Sequence, residues 1–540
     1  MLQGTPILVL KEGTERERGK GATANNIAAA RAVADTVRTT LGPRGMDKML
    51  VDSMGDITIT NDGVTILKEV DVEHPAAKML VEVAKTQDQQ CGDGTTTAVV
   101  LAGELLKRSE YLLEQNVHPT VITRGFQLAF QQAKHLLETE IGTPVKASDD
   151  AVLIDCAATA MGSKGVFGSR EELAKIAVQA VRKIAEPRGD RTVADVDQIK
   201  VEKRHGGTIS DTALIEGIII DKERGHPRMP GEVTNAKIAL LNSALEIKKT
   251  EIEGKINIKS PNQIQGFLDE EDKTFHKMVE TIKGVGANVV VCQKGIDDVV
   301  LHYLAKQSIY AVKQVKESDL QKLARATGGK IVTGIKELTN ADLGSAARVY
   351  EEKVGDDKMT YVTGCANPRS VSILIRGGTE HVTQEVERSL HDALKVVASV
   401  IEDGVVCPGG GASEIDLAVK LRKWAGTVGG REQLAVEAFA QSLEAVPWAL
   451  TENAGYDSIN TLIDLRCAHD GPNANKNAGI NLMEGKSADM WKLHIIEPLR
   501  VKTQALSSAT EVASMILRID DIIASKKSGP APSGGGGHDH

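Results

Sequence analysis

Gly92-Asp93-Gly94-Thr95-Thr96-Thr97, followed by the apolar run Ala98-Val99-Val100-Leu101-Ala102, is the stretch around which the chain is organised. Its two glycines admit positive φ and a close backbone approach to a ligand. The threonines are placed to cap the helix that the apolar run begins, leaving backbone N–H groups aimed at whatever lies in front. A helix N-terminus behind a glycine turn binds anions. Asp93 would repel such an anion unless a cation lay between them, so the stretch points to phosphate together with Mg²⁺. An ordinary Gly-Asp-Gly turn with a threonine cap explains the same six residues, and the rest of the chain has to choose between the two.

The composition narrows the class. A chain of 540 residues is expected to form several domains. Hydrophobic residues make up 41% but aromatics only 3%, so the cores must be aliphatic. The formal net charge of −9 argues against nucleic acid or an anionic membrane as partner, since both favour basic surfaces. The six cysteines are scattered without a CxxC pair, which reads as reduced thiols in a cytoplasmic protein. No apolar run approaches the ~18 residues of a membrane span. Pro6-Ile7-Leu8-Val9-Leu10 is too short for a signal-peptide core and is followed by charges.

Along the chain, residues 22–41 read as an alanine-rich amphipathic helix ended by Leu41-Gly42-Pro43-Arg44-Gly45. Met49 to Asp52 and Asp56 to Thr60 form a hairpin signal around Ser53-Met54-Gly55, and Asn61-Asp62-Gly63 presents Asp62 at a strand end before a helix. A helical block follows over 74–140, a boundary near 141–149, and more helix over 150–190. In the middle third, strand-like runs at 236–241, 288–292, 308–312 and 330–332 alternate with helical stretches 296–306 and 317–327. That alternation argues for an α/β domain with parallel strands. An excursion at 246–275 carries Ile252, Ile256, Ile258, Ile264, Phe267 and Leu268 among charges; a solvated loop and a partner-meeting protrusion both fit it. A long helix over 380–401, the run Val405 to Ala412, a helical block to about 465 and a last helix over 507–523 complete the chain, with a flexible tail after it.

No Walker A, HExxH, GxSxG or kinase motif is present; Gly479 with Gly485-Lys486-Ser487 is one residue too long for a P-loop. What remains is a dispersed set. The turns at Leu41–Gly45 and Gly94–Thr97 can offer backbone donors to phosphates. Asp62 and Asp93 can share Mg²⁺ duty, and Asp392 can orient or deprotonate a water. Gly409-Gly410-Gly411 can admit a flat ribose or base against bare backbone. Each also has a plain structural explanation: a helix cap, a solvated acid, a hinge.

The ordered set Thr39-Thr40-Leu41-Gly42-Pro43-Arg44-Gly45-Met46-Asp47-Lys48, Asn61-Asp62-Gly63, Gly92 to Thr97 and Gly409-Gly410-Gly411 resembles the chaperonin family, most closely its archaeal group II (thermosome) branch. The resemblance spans essentially the whole chain. It implies a multidomain protein: an all-α equatorial domain with a small β hairpin (1–147 and 404–526), an α+β intermediate domain (148–214 and 367–403), and an α/β apical domain (215–366). The helical protrusion at about 246–275 would be a built-in lid, and 527–540 a tail. Leu41, Gly42, Pro43, Gly94, Thr95, Thr96 and Thr97 would then hold the phosphates of ATP or ADP, and Asp93 would ligate Mg²⁺. Asp62 and Asp392 would position the attacking water. Gly410, Gly411 and Glu497 would line the ribose or adenine, and Lys164 would sense the γ-phosphate.

The resemblance further implies an ATPase that encloses non-native polypeptides in a double ring of identical or paralogous subunits, in the cytoplasm, without nucleic acid or membrane partners. The 53–55 hairpin would pair with a neighbouring subunit's chain ends. A small-molecule ATPase or kinase, or a non-catalytic nucleotide-binding scaffold, are the competing expectations.

Overall fold

A computed structural model describes residues 14–164, 168–189, 191–247, 261–367, 369–472 and 474–525. In chain order its α-helices are α1 (Lys20–Arg38), α2 (Gly63–Glu69), α3 (Pro75–Cys91), α4 (Thr95–Glu114), α5 (Pro119–Leu136), α6 (Asp150–Ala160), α7 (Arg170–Ile184) and α8 (Pro261–Gly284). They continue as α9 (Asp298–Lys306), α10 (Glu317–Thr327), α11 (Glu380–Asp403), α12 (Ala412–Val428), α13 (Glu432–Leu443), α14 (Ala445–Asn453), α15 (Ser458–His469) and α16 (Leu499–Leu517). The chain divides into two compact units, one made of Met1–Thr143 with Cys407–His540, the other of Pro144–Val406.

The first unit, built from both chain ends, is a helical bundle around α4, which packs against α1, α3, α13 and α16. Thirteen of the 20 residues of α4 are buried, so it is apolar nearly all round, as a central helix must be. Small residues permit the close approach: a Cβ on Gly103 would overlap Ala34 of α1, and one on Gly125 of α5 would overlap Ala435 of α13. With few aromatics, ring contacts are sparse; Phe126 and Phe439 meet edge-on at 5.9 Å between centroids. The strands Lys48–Val51 and Ile57–Thr60 pair antiparallel. This hairpin leaves Met49, Val51, Met54, Ile57 and Ile59 exposed, Met54 at 88%. Thr14–Arg18 pairs antiparallel with Asp521–Ser525, joining the two chain ends.

Among the described residues the second unit holds two main sheets, besides the short antiparallel pair of Glu186–Arg188 with Arg191–Val193. In the smaller of the two main sheets, Ser372–Gly377 runs parallel to Lys200–His205 and antiparallel to Ala213–Ile215, with α11 packed on it and on α6 and α7. The larger is seven-stranded and mixed. Glu232–Leu241, Val289–Cys292, Tyr310–Val312 and Ile331–Val332 are mutually parallel, as the alternating pattern predicts. Gly344–Val354, Asp357–Cys365 and Gly217–Ile220, which lie outside those four runs, extend it antiparallel. The first two are joined by a tight turn at Gly355, where φ is 67° and the chain folds directly back.

Both faces of this sheet are covered. Ala239, Leu241, Val290 and Ala311 pack against Phe275, Val279 and Ile282 of α8 and Val300, Leu301 and Leu304 of α9. Ile238, Leu240, Val289, Val291 and Tyr310 pack against Leu320, Leu323 and Ala326 of α10. The 246–275 excursion is therefore part of a helix from residue 261 onward, and Phe275 belongs to the core rather than to a loop. Ile252, Ile256 and Ile258, and the side chains of Ile264, Phe267 and Leu268, lie outside the described residues. The last helix begins at Leu499 and ends at Leu517, eight residues earlier than the periodicity suggests at its start, because Pro498 supplies its N-cap.

Candidate nucleotide site

The two-glycine turn bends sharply. Gly92 ends α3 at φ 76° and Gly94 is the N-cap of α4 at φ 78°, with no side-chain cap. This corrects the expectation that a threonine caps α4: Thr95, Thr96 and Thr97 are its first three residues, and the left-handed glycine stands where a capping side chain would be. The N–H groups of that first turn consequently have no acceptor within the helix. With no acidic side chain in the turn either, the positive end of the helix dipole stays uncompensated from within. Two contacts hold the turn in place: Gln87 Nε2 donates to the Asp93 carbonyl at 2.9 Å and to the Val501 carbonyl of α16 at 3.2 Å. The Asp93 carboxylate accepts from Gly94 N at 2.6 Å.

Asp62 comes to the same place. Its Oδ2 caps α2, accepting from Thr65 N at 3.1 Å and Thr65 Oγ1 at 2.7 Å, while Oδ1 lies 3.4 Å from Thr95 Oγ1. The next residue must be glycine, since a Cβ on Gly63 would overlap the Thr96 hydroxyl. The turn after α1 is fixed by Asn453, whose Nδ2 donates to the carbonyls of Arg38 at 3.0 Å and Leu41 at 2.9 Å. Gly42 adopts φ 84° there, with Leu450 filling the space a side chain would need, and Pro43 is exposed.

The glycine triplet repeats the pattern of Gly94. Gly411 is the N-cap of α12 at φ 77°, again without a side-chain cap. Gly409 N donates to the Ile495 carbonyl at 3.0 Å, and the Gly410 carbonyl accepts from Ile480 N at 2.9 Å. A Cβ on Gly410 would overlap Met490 and one on Gly411 would overlap Pro447. Thr97 from α4, Ser413 and Glu414 from α12, and Lys502 from α16 line one small cavity, so the first turns of the two glycine-capped helices converge. Glu497 lies beside them: its Oε2 is 2.7 Å from Lys502 Nζ, and its Oε1 lies against Gly409. Burial alone would lower the pKa of Lys502, but Glu414 and Glu497 outweigh it and hold the ammonium well above the usual lysine range. Burial pushes the nearby Cys407 thiol up to about 12, leaving it protonated and inert.

Within the first unit Asp62, Asp93 and Gly94 to Thr97 meet at the start of α4, Gly410, Gly411 and Glu497 lie at the start of α12, and Leu41, Gly42 and Pro43 form the turn after α1. Lys164 and Asp392 belong to the second unit, where they form a pair of their own: Lys164 Nζ donates to Asp392 Oδ2 at 2.5 Å, with side chains 5% and 9% exposed. Four supporting residues escaped the sequence reading: Gln87, Asn453, Glu414 and Lys502. The signal for Lys502 is a lysine on the apolar face of α16, between Val501 and Ala505.

Two helix starts without a side-chain cap, positive-φ glycines and neighbouring carboxylates thus belong to the unit built from both chain ends. The model of the TCP-1/cpn60 chaperonin family matches residues 33–527. The chain belongs to that family. It is 60% identical over 532 residues to the thermosome subunit alpha of Thermoplasma acidophilum, covering 98% of this chain and 96% of that one. The thermosome subunit of Pyrococcus horikoshii is 57% identical over 526 residues, 97% and 95% of the two chains. Among solved structures, the open-state monomer of a group II chaperonin from Methanococcoides burtonii matches with TM-score 0.62 and 45% identity, over 79% of this chain and 100% of that one. As a chaperonin chain it serves protein folding in an ATP-dependent ring assembly. Among the described residues no helix is long and apolar enough to cross a membrane.

Proposed function

We propose that this chain is one subunit of a cytoplasmic double-ring chamber that hydrolyses ATP to enclose non-native polypeptides. The observation that carries the reading is the convergence of two helix N-termini, α4 and α12, each opened by a left-handed glycine instead of a capping side chain. Uncapped N–H groups suit phosphate oxygens, and the carboxylate beside them suits a hard cation such as Mg²⁺. In this assignment the peptide groups of Leu41 to Pro43 and Gly94 to Thr97 bind phosphates, Asp93 holds Mg²⁺, and Gly410, Gly411 and Glu497 receive the nucleoside. ATP with Mg²⁺ supplies the phosphoryl group to be cleaved.

The chain's own part in cleavage is positioning. Asp62 is held rigid by Thr65, so its Oδ1 can orient a water at a fixed direction from the first turn of α4. The same role is assigned to Asp392, and sensing of the γ-phosphate to Lys164; within the second unit the two form a buried ion pair, 2.5 Å apart. In the division proposed here, 1–147 with 404–526 is the equatorial domain, 148–214 with 367–403 the intermediate domain and 215–366 the apical domain. The segment near 246–275 is the lid. The exposed apolar hairpin at 48–60 is assigned to a neighbouring subunit's chain ends.

The test is direct. Light scattering and negative-stain images of the full chain, with and without ATP, should give a stacked-ring particle that changes shape with nucleotide. A particle near the 57.7 kDa subunit mass would overturn the chamber. Deleting 250–272 spares the core-packed part of α8 from Phe275 onward. That deletion should leave ATP turnover intact while abolishing protection of an enclosed substrate from protease.

A further inference from the structure

Lys502 is a single cation shared by two carboxylates, Glu414 buried and Glu497 half-buried. Its side chain is 8% exposed, and Nζ lies 2.8 Å from Glu414 Oε1 and 2.7 Å from Glu497 Oε2. The two carboxylates come from different places: Glu414 from the first turn of α12, immediately after the glycine triplet, and Glu497 from the strand Ile496–Pro498 that leads into α16. Among the described residues Glu414 Oε2 has no hydrogen-bond partner, although the residue is 3% exposed, so there Glu414 is tied through Oε1 to Lys502. Glu497 Oε1, the oxygen not held by Lys502, lies against Gly409, where a Cβ would come within 2.7 Å of it.

We propose that Lys502 is a positioning residue that sets the ribose contact of the nucleotide site, by fixing the Glu497 carboxylate plane and tethering the start of α12 through Glu414. The proposal rests on the reading of Glu497 as the acceptor of ribose hydroxyls. A carboxylate held by neither oxygen turns freely about its terminal torsion, whereas one clamped through Oε2 presents Oε1 in a single direction. The cation has a second effect. Without it, Glu414 and Glu497 would be two negative charges in a poorly solvated pocket, relieved by moving apart or by taking up a proton. Either relief removes the fixed acceptor: a displaced carboxylate no longer faces Gly409, and a protonated one becomes a donor as well. Lys502 reaches the nucleotide only through Glu497, which separates it from the residues that touch substrate.

The experiment compares steady-state turnover of ATP, 2′-deoxy-ATP and 3′-deoxy-ATP by the assembled full-length protein. A charged acceptor that loses its hydroxyl partner should raise KM for the affected deoxy nucleotide on the order of tenfold. Glu497→Ala should bring that ratio close to one, and Lys502→Met should do the same by raising KM for ATP towards that of the deoxy nucleotide. A lysine that merely held the fold would lower turnover of all three nucleotides alike and leave the ratio untouched; that outcome overturns the proposal. Should Lys502→Met not fold, Lys502→Met combined with Glu414→Leu removes the uncompensated charge while still releasing Glu497, and the ratio must still collapse. If the ratio survives Glu497→Ala, or is absent from the unmodified protein, the ribose reading of Glu497 is what fails.

Discussion

Replacing Gly94 by alanine tests the nucleotide cradle at its most constrained atom. Gly94 stands at φ 78°, and an added Cβ would lie 2.8 Å from Val501 Cγ1 and 3.0 Å from Gln87 Nε2. A non-glycine residue in the left-handed region costs about 1–2 kcal/mol, and forcing a methyl into a packed site costs about 1–3 kcal/mol more. The sum, roughly 2–5 kcal/mol, is most easily relieved by shifting the start of α4 or displacing Gln87, which holds the turn by two hydrogen bonds. Either movement turns the first-turn N–H groups away from a phosphate. Loss of one such charge-assisted bond, about 1.5–3 kcal/mol, weakens nucleotide binding by roughly 10- to 150-fold. Titration calorimetry with ADP, alongside circular dichroism to confirm that the helices persist, measures it. Gly328→Ala is the control, since Gly328 stands at φ 71° and ψ 10°, beside the 78° and 13° of Gly94, with nothing within 4 Å of its would-be Cβ. It carries the same backbone strain without the clash, and should leave affinity unchanged. If Gly94→Ala binds ADP within twofold of the unmodified chain, the bare turn of α4 is not a phosphate site.

Asp62 combines a structural and a chemical role, and two substitutions separate them. Asp62→Ala removes the cap on α2 and should lower stability by about 0.5–2 kcal/mol, whereas Asp62→Asn keeps an acceptor for Thr65; both should lower ATP turnover by roughly 100-fold or more with nucleotide binding retained, and turnover surviving in Asp62→Asn would remove Asp62 from the chemistry. Truncating Phe275, 7% exposed between α8 and the large sheet, should cost the second unit about 3–5 kcal/mol, read by urea unfolding, while ADP affinity in the first unit stays constant. Glu444 supplies a pH dependence. Burial would raise its pKa, but Arg466 and Arg422, at 2.5 and 2.7 Å from its Oε2, overcome that and hold it below the usual carboxylate range. A lowered folded-state pKa means that the ion cluster stabilises fully above the unfolded value near 4.5 and that this contribution is lost as pH falls below it. Glu444→Gln should therefore flatten the acid limb of a stability–pH curve as pH falls below 4.5, and an unchanged slope would refute the role.

Much of the helical frame was legible because its signals are local. The apolar run after Thr97 marked α4, Asn61-Asp62-Gly63 marked the start of α2, and the 317–327 pattern coincides with α10. The antiparallel half of the large sheet was not legible. Gly344–Val354 is exposed at irregular positions along its length, so period-two alternation is blurred, and its partner is fixed by a two-residue turn at Gly355 rather than by composition. The glycines gave only half of their meaning to the sequence. Positive φ could be suspected at Gly94 and Gly411, but the reason substitution is barred there lies in distant residues, Val501 and Pro447, that no spacing relates to them.

The same limit explains Lys502. Placing the last helix at 507–523 left this lysine in an apparent loop, where a charge needs no partner. Once Pro498 is seen to open α16, Lys502 falls on the buried face of a helix, and a desolvated ammonium there requires compensation from another part of the fold. Glu414 and Glu497 provide it, from positions 88 and 5 residues away in sequence. A correctly placed helix start would thus have flagged Lys502 from sequence alone, while its partners become visible only when the glycine triplet and the strand before α16 are folded against it.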